Sequence, residues 1–195
     1  MKKTLIFFIL FAVAALVTGI YNLTQQADIN YYRARRLFIS GAYREAIPFY
    51  EKTLEIDPVN GRAVRELAYS YLWTERPGEA ASLFREALRS DPTDQKLLVS
   101  LADAYSWSNE LDRAVSLLKA LIQNKADPDL EKKLAEIYLW RGDSDEAVKL
   151  LEPLEVLYPR DPQVLWLYGK SLYYSGKSRE ASEVLERLME VMDEK

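Results

Sequence analysis

Residues 64–92 read VRELAYSYLWTERPGEAASLFREALRSDP, and this stretch decides the fold. Val64, Leu67, Ala68 and Tyr71 recur at three- and four-residue steps, which places them on one face of a helix. Pro77-Gly78 interrupts that pattern. Ala80, Ala81, Phe84, Ala87 and Leu88 then form a second stripe. Asp91-Pro92 ends it, because the proline ring disfavours helical geometry in the residue before it. The spacing predicts two amphipathic helices joined by a short turn. A unit this small cannot bury both stripes alone, so it needs neighbours.

Neighbours of the same kind lie on both sides. Alanines recur at Ala46, Ala80, Ala114, Ala147 and Ala181, with spacings of 34, 34, 33 and 34 residues. A large apolar residue follows each by four: Tyr50, Phe84, Leu118, Leu151 and Leu185. Asp-Pro pairs stand at Asp57-Pro58, Asp91-Pro92, Asp127-Pro128 and Asp161-Pro162. Gly41, Asn109, Gly142 and Gly176 mark turns before the alanines, and Pro77-Gly78 serves the second unit. Such a period is the signature of stacked supersecondary units. The alanine lets two helices approach closely, and the large residue fills the adjacent groove.

The pattern resembles the tetratricopeptide repeat (TPR) family. Leu67-Ala68-x2-Tyr71, Ala80-x3-Phe84 and Pro92 carry its motif in the second unit. Leu101-Ala102-x2-Tyr105 with Ala114 carries it in the third, and Leu134-Ala135-x2-Tyr138 with Ala147 in the fourth. Gly169 and Ala181 keep part of it in the fifth, and Ala34, Leu37, Ala46, Tyr50 and Pro58 in the first. The motif's leading tryptophan is replaced by Asn30, Val64, Leu98, Glu131 and Leu165. The resemblance implies an all-α, right-handed α-solenoid of about five helix-turn-helix repeats. They would span residues 27–60, 61–94, 95–127, 128–161 and 162–195. Pro48 falls near a helix start, where proline is tolerated. Pro153 is expected to kink or shorten its helix, and irregularity is expected near 123–130 and 150–160.

A different object precedes the repeats. Lys2 and Lys3 are followed by an apolar run from Leu5 to Val17, extended by Thr18, Gly19 and Ile20. Seventeen residues of helix span roughly 25 Å at 1.5 Å per residue, short but sufficient for a bilayer core. Tyr21 suits the interface. An uncleaved signal anchor over 1–21 is the preferred reading, and a cleaved secretory signal is its rival. Residues 22–26 would form a short linker to the TPR domain at 27–195. Positive charge before the run and none in residues 21–32 keeps the amino terminus in the cytoplasm. The basic-then-apolar start has a bacterial look, so the chain is expected in the inner membrane, single-pass, with the TPR domain in the periplasm. Arg33, Arg35 and Arg36 could touch anionic headgroups.

Composition bounds the chemistry. The 195 residues hold 30 acids, 26 bases, no cysteine and no histidine. Thiolate sites, disulfides and the commonest general base are absent, so a binding protein without cofactor or metal is expected, not an enzyme. A net charge of −4 argues against nucleic acid. Asp143 and Asp145 suit a helix amino terminus better than catalysis.

The resemblance also implies that the first helix of each repeat lines an inner groove, through its second, fifth, ninth, twelfth and thirteenth places. The thirteenth holds Ile39, Trp73, Trp107, Trp140 and Tyr174, and Trp166 takes the fifth place of the last repeat. The groove is expected to comprise Tyr31, Arg35, Phe38, Arg65, Tyr69, Leu72, Trp73, Asp103, Trp107, Lys132, Glu136, Trp140, Trp166, Lys170, Tyr173 and Tyr174. Its other charges are Glu66, Arg62, Lys96 and Lys133. Tyr71, Tyr105 and Tyr138 occupy the core aromatic place two residues before the tryptophans, about 200° away on a helix. The tryptophans therefore form either a partly exposed ladder or a packing stripe against the next repeat. The expected occupant is a protein partner, either a membrane-protein complex or an apolar or aromatic peptide segment. A polysaccharide stacked on the indole faces is the second candidate. Residues 134–142 are similar to repeats of bacterial TPR proteins in exopolysaccharide export, and the layout resembles membrane-anchored TPR subunits of cytochrome c maturation. At the carboxyl end, Leu185, Leu188, Met189 and Met192 are expected to pack inward, with Ser182 leaving the terminal face partly polar.

Overall fold

Ten helices follow one another among the described residues, with no strand between them. They are α1 (Lys2–Ile39), α2 (Tyr43–Ile56), α3 (Gly61–Leu72), α4 (Pro77–Ala87), α5 (Gln95–Trp107), α6 (Leu111–Asn124), α7 (Pro128–Arg141), α8 (Ser144–Leu157), α9 (Pro162–Tyr174) and α10 (Ser178–Asp193). The structure is a computed structural model that describes the backbone of residues 2–124 and 126–194, and the side chains of 9–124 and 126–194. The readings placed on the side chains of Lys2, Lys3 and Leu5 lie outside those residues, as does Lys125 within the expected irregularity at 123–130. The chain divides into two compact units, Met1–Leu97 and Leu98–Lys195. In the first, α1 packs on α2, α2 on α3 and α3 on α4. In the second, α6 packs on α7, α7 on α8, α8 on α9 and α9 on α10, with α7 also meeting α9.

Each helix pair is built around three places in its repeat. The eighth holds Ala34, Ala68, Ala102 and Ala135, all with no exposed surface, and buried Gly169. The alanines at the twentieth place are equally buried, and Tyr50, Phe84, Leu118 and Leu151 at the twenty-fourth have no exposed surface. In the last repeat the approach leaves no room for a side chain: a Cβ on Gly169 would lie 2.7 Å from Cδ2 of Leu185. Tyr71, Tyr105 and Tyr138 are buried as expected.

The turn inside each pair follows one geometry. Gly41, Glu75, Asn109, Gly142 and Gly176 all have positive φ, between 62° and 89°. The next residue's N–H reaches back to the carbonyl of the eleventh place: Ala42 to Leu37 at 2.9 Å, Arg76 to Tyr71 at 2.9 Å, Glu110 to Tyr105 at 2.7 Å, Asp143 to Tyr138 at 2.8 Å and Lys177 to Leu172 at 2.9 Å. This is the Schellman closure, which satisfies carbonyls orphaned at a helix end. Pro77-Gly78 was expected to make the second turn. Instead Pro77 opens α4, Gly78 lies inside it, and Glu75 takes the left-handed conformation.

The turns between repeats start the next inner helix with a side-chain cap. Asp127 Oδ1 accepts from the N–H groups of Asp129 and Leu130, and Asp161 Oδ1 from those of Gln163 and Val164. Asn60 and Asp94 do the same for α3 and α5. Such caps are worth about 1 kcal/mol each. Asp91-Pro92 does not itself end α4, which stops at Ala87.

Three other expectations change. Residues 22–26 are not a linker, because α1 is helical without a break from Lys2 to Ile39. Pro153 does not shorten α8, which at 14 residues equals α2 and α6. Buried Leu151 and Leu154 hold the helix on both sides of the proline, outweighing the lost backbone bond. Met189 and Met192 do not pack inward; they are 59% and 62% exposed. Ala181, Val184 and Leu188 form the buried face of α10 instead. With 16 residues against 13 in α9, α10 outruns the helix it packs on.

Candidate functional site

The inner helices are α1, α3, α5, α7 and α9, and each unit presents its own part of them. In the first unit the aromatics close on one another. Tyr31 is buried, with its ring 6.2 Å from Tyr50. Phe38 meets Tyr50 at 6.3 Å and Tyr43 at 5.3 Å. Tyr69 meets Phe84 edge-on at 5.0 Å. Trp73 stacks on Tyr43 at 6.4 Å and 26°. The charges close as well: Arg35 lies 3.8 Å from Glu66, and Arg65 lies 3.5 Å from Asp94. The Tyr50 hydroxyl donates to Glu66 at 2.6 Å, and the Tyr71 hydroxyl to Glu51 at 2.5 Å. Burial and these carboxylates push both phenols up, Tyr71 to about 12.

The second unit has leucine, not an aromatic ring, at the twenty-fourth place of each repeat. Trp107, Trp140 and Trp166 are 47%, 54% and 52% exposed, and Tyr173 and Tyr174 slightly more so. Tyr173 and Tyr174 touch edge-on at 5.6 Å. Asp103 is paired with Lys133. Lys132 bonds Asp129 at 2.9 Å and Asp161 at 3.5 Å; the hydrogen bond from its ammonium to Asp129 holds its pKa above the usual lysine value. Glu136 and Lys170 are half-buried, and their side chains make no hydrogen bond or ion pair among the described residues.

Three of the expected groove residues therefore offer no surface. Tyr31 turns onto Tyr50, Leu72 is 4% exposed, and Lys132 is consumed by its two aspartates at 9% exposure. Phe38 and Tyr69 are half-buried against the aromatic rings of their own repeats. Tyr43 was missed: it lies at the start of an outer helix, outside the five inner places, yet it carries the face of Trp73. Its position two residues after the turn glycine was the available signal. Trp73 is partly exposed, at 56%, and the contact that neither reading of the tryptophans named is its stacking on an outer helix.

Away from the repeats, α1 keeps apolar side chains in the open. From Ile9 to Gln26 every described side chain is exposed, and Ala27 is the first to be buried. The helix is long and apolar enough to cross a membrane, with mean hydropathy 1.3, and is a candidate span or signal anchor. Tetratricopeptide repeat models match residues 31–95 and 74–137, together more than half the chain. No curated protein sequence matches it. Among solved structures it is similar to the crystal structure of MamA protein, with a TM-score of 0.73 and 21% identity over 87% of this chain and 93% of that one. It is similar to the nearly identical TPR-like repeats of a putative kinesin light chain from Podosopora anserina, with a TM-score of 0.70 and 22% identity over 88% and 97% of the two chains. YrrB, described as a TPR protein with an unusual peptide-binding site, matches with a TM-score of 0.68 and 21% identity over 91% and 92%. Motif, all-α architecture and family models agree: the chain belongs to the tetratricopeptide repeat family.

Proposed function

We propose that this chain is a membrane-anchored scaffold that holds a protein partner at the outer face of a bacterial inner membrane. TPR proteins generally mediate protein–protein interaction, which supports binding and assembly, not bond chemistry. The observation that carries the anchoring is α1 itself. One continuous helix keeps every described side chain from Ile9 to Gln26 exposed, and its remainder is the inner helix of the first repeat. Ala27 follows Ile20 by seven residues, or about 10 Å of helix, so the first repeat stands close to the membrane surface. The site offered to the partner is the inner surface, above all Trp107, Trp140, Trp166, Tyr173 and Tyr174, to which an apolar or aromatic segment is suited.

Purification of the full-length chain from native membranes in mild detergent tests this reading. A stoichiometric membrane complex should accompany it and be lost when Trp107 and Trp140 become Ala in a still-helical protein. A chain that arrives alone, or one found in the soluble fraction with its first 21 residues removed, counts against the scaffold and the anchor respectively. The half-exposed indole faces favour a polysaccharide as the second reading. Retention on glycan columns, lost in Trp107→Ala, distinguishes it.

A further inference from the structure

Glu136 and Lys170 occupy equivalent positions on α7 and α9. Each is the ninth residue of a helix that starts with proline after an aspartate cap, so the two stand at the same level along neighbouring inner helices. These helices pack on each other. Packed helix axes lie about 8–10 Å apart, and Glu136 and Lys170 do not pair across that distance. The charges around them are already used: Asp103 by Lys133, and Lys132 by Asp129 and Asp161. Glu136 and Lys170 are half-buried, so each keeps a charge partly out of water without a counter-ion among the described residues. Apolar surface flanks both. Trp140 is one turn past Glu136. Trp166 is one turn before Lys170, and Tyr173 and Tyr174 are one turn after it.

Resting on the peptide-binding reading above, we propose that the second unit selects an extended peptide segment carrying a basic and an acidic side chain about three residues apart. The basic group meets Glu136 and the acidic group meets Lys170. Three residues of extended chain cover about 10 Å, which matches the separation of the two helices. The peptide's apolar side chains lie on Trp140 and Trp166. The base also gains the indole face of Trp140, since cations are drawn to aromatic faces. A zwitterionic segment fits the even balance of the two charges, whereas a segment of one sign would leave a like charge opposed.

The test uses the full-length chain in nanodiscs against a random twelve-residue peptide library displayed on phage. Enrichment of Lys or Arg three residues from Asp or Glu, beside apolar residues, is the expected result. On a selected peptide, Glu136→Lys should weaken binding about tenfold, and replacing the peptide's base with an acid should restore it. A purely apolar consensus, or binding indifferent to Glu136→Lys and Lys170→Glu, overturns the charge selection and leaves the groove reading intact. A consensus recovered equally well on the Trp140→Ala, Trp166→Ala variant, or no consensus at all, overturns both.

Discussion

The two units share one repeat and use it differently. In the first, the twenty-fourth place is aromatic, Tyr50 and Phe84, and these rings meet Phe38 and Tyr69 edge-on and Tyr31 at a tilt. In the second that place is Leu118, Leu151 and Leu185. Five aromatics of its inner helices, Trp107, Trp140, Trp166, Tyr173 and Tyr174, stay about half exposed or more, while Tyr105 and Tyr138 are buried. Among the charges, Arg35, Arg65, Asp103 and Lys132 are paired, whereas Glu136 and Lys170 have no ion-pair partner among the described residues. A ring is a strut where it packs on another ring between an inner and an outer helix, and a handle where its face stays open; Trp73 is both, stacked on Tyr43 yet 56% exposed. Tyr31, Phe38 and Tyr69, in the unit that continues from the candidate membrane helix, are struts.

Removing a strut should break this contrast most severely. Phe84 has no exposed surface and holds Tyr69 edge-on. Phe84→Ala is expected to cost about 3–5 kcal/mol, read by urea unfolding of the full-length chain in detergent. Any loss of binding should follow the loss of fold. Removing a handle should do the reverse. Trp140→Ala is expected to weaken partner or peptide binding by about 2 kcal/mol, near thirtyfold, while the unfolding midpoint moves little. A large fall in stability with Trp140→Ala would mean that the indole is packing after all.

The hydroxyls of the first unit sharpen the comparison by pH. Burial and the hydrogen bond to Glu51 raise the Tyr71 phenol to about 12. The folded state therefore holds this proton more tightly than an unfolded tyrosine with pKa about 10. The resulting stability is fully present below pH ~10 and is lost as pH rises through about 12. Between these values Tyr71→Phe should lose stability less steeply than the native chain, in alkaline unfolding followed by circular dichroism. An unchanged slope would show that Glu51 does not hold the phenol.

Much of the fold was legible because tight packing demands fixed residue types at fixed spacing. The alanines at the eighth and twentieth places and the tyrosines at the eleventh could be read directly, since their burial follows from helical phase alone. The groove was legible less completely. Tyr31, Leu72 and Lys132 lie at inner places, but their exposure depends on what stands across from them: Tyr50 for Tyr31, Asp129 and Asp161 for Lys132. A single-helix periodicity carries no information about such partners. Tyr43 escaped for the same reason, because its role exists only through Trp73 in the next repeat. Residues 22–26 change polarity without changing backbone, since a helix tolerates the first without the second, and so polarity alone does not mark a linker there.

The smallest expected effect concerns the turn that sequence patterning misassigned. Three of the five left-handed positions hold glycine and one holds asparagine, but the first unit places Glu75 there, at φ 62°. A side chain in this region costs roughly 1–2 kcal/mol, from the approach of Cβ to the carbonyl oxygen. Glycine removes that cost but gives back about 0.5–1 kcal/mol through its greater freedom in the unfolded chain. Glu75→Gly should therefore stabilise the protein by up to about 1 kcal/mol, seen as a modest rise in unfolding midpoint. The same change at Asn109, in the second unit, should give less, because asparagine tolerates the left-handed region better than glutamate. Equal gains at both turns would mean that side-chain chemistry at this place does not set the cost. The strain in the first unit would then have to come from the packing of α3 against α4.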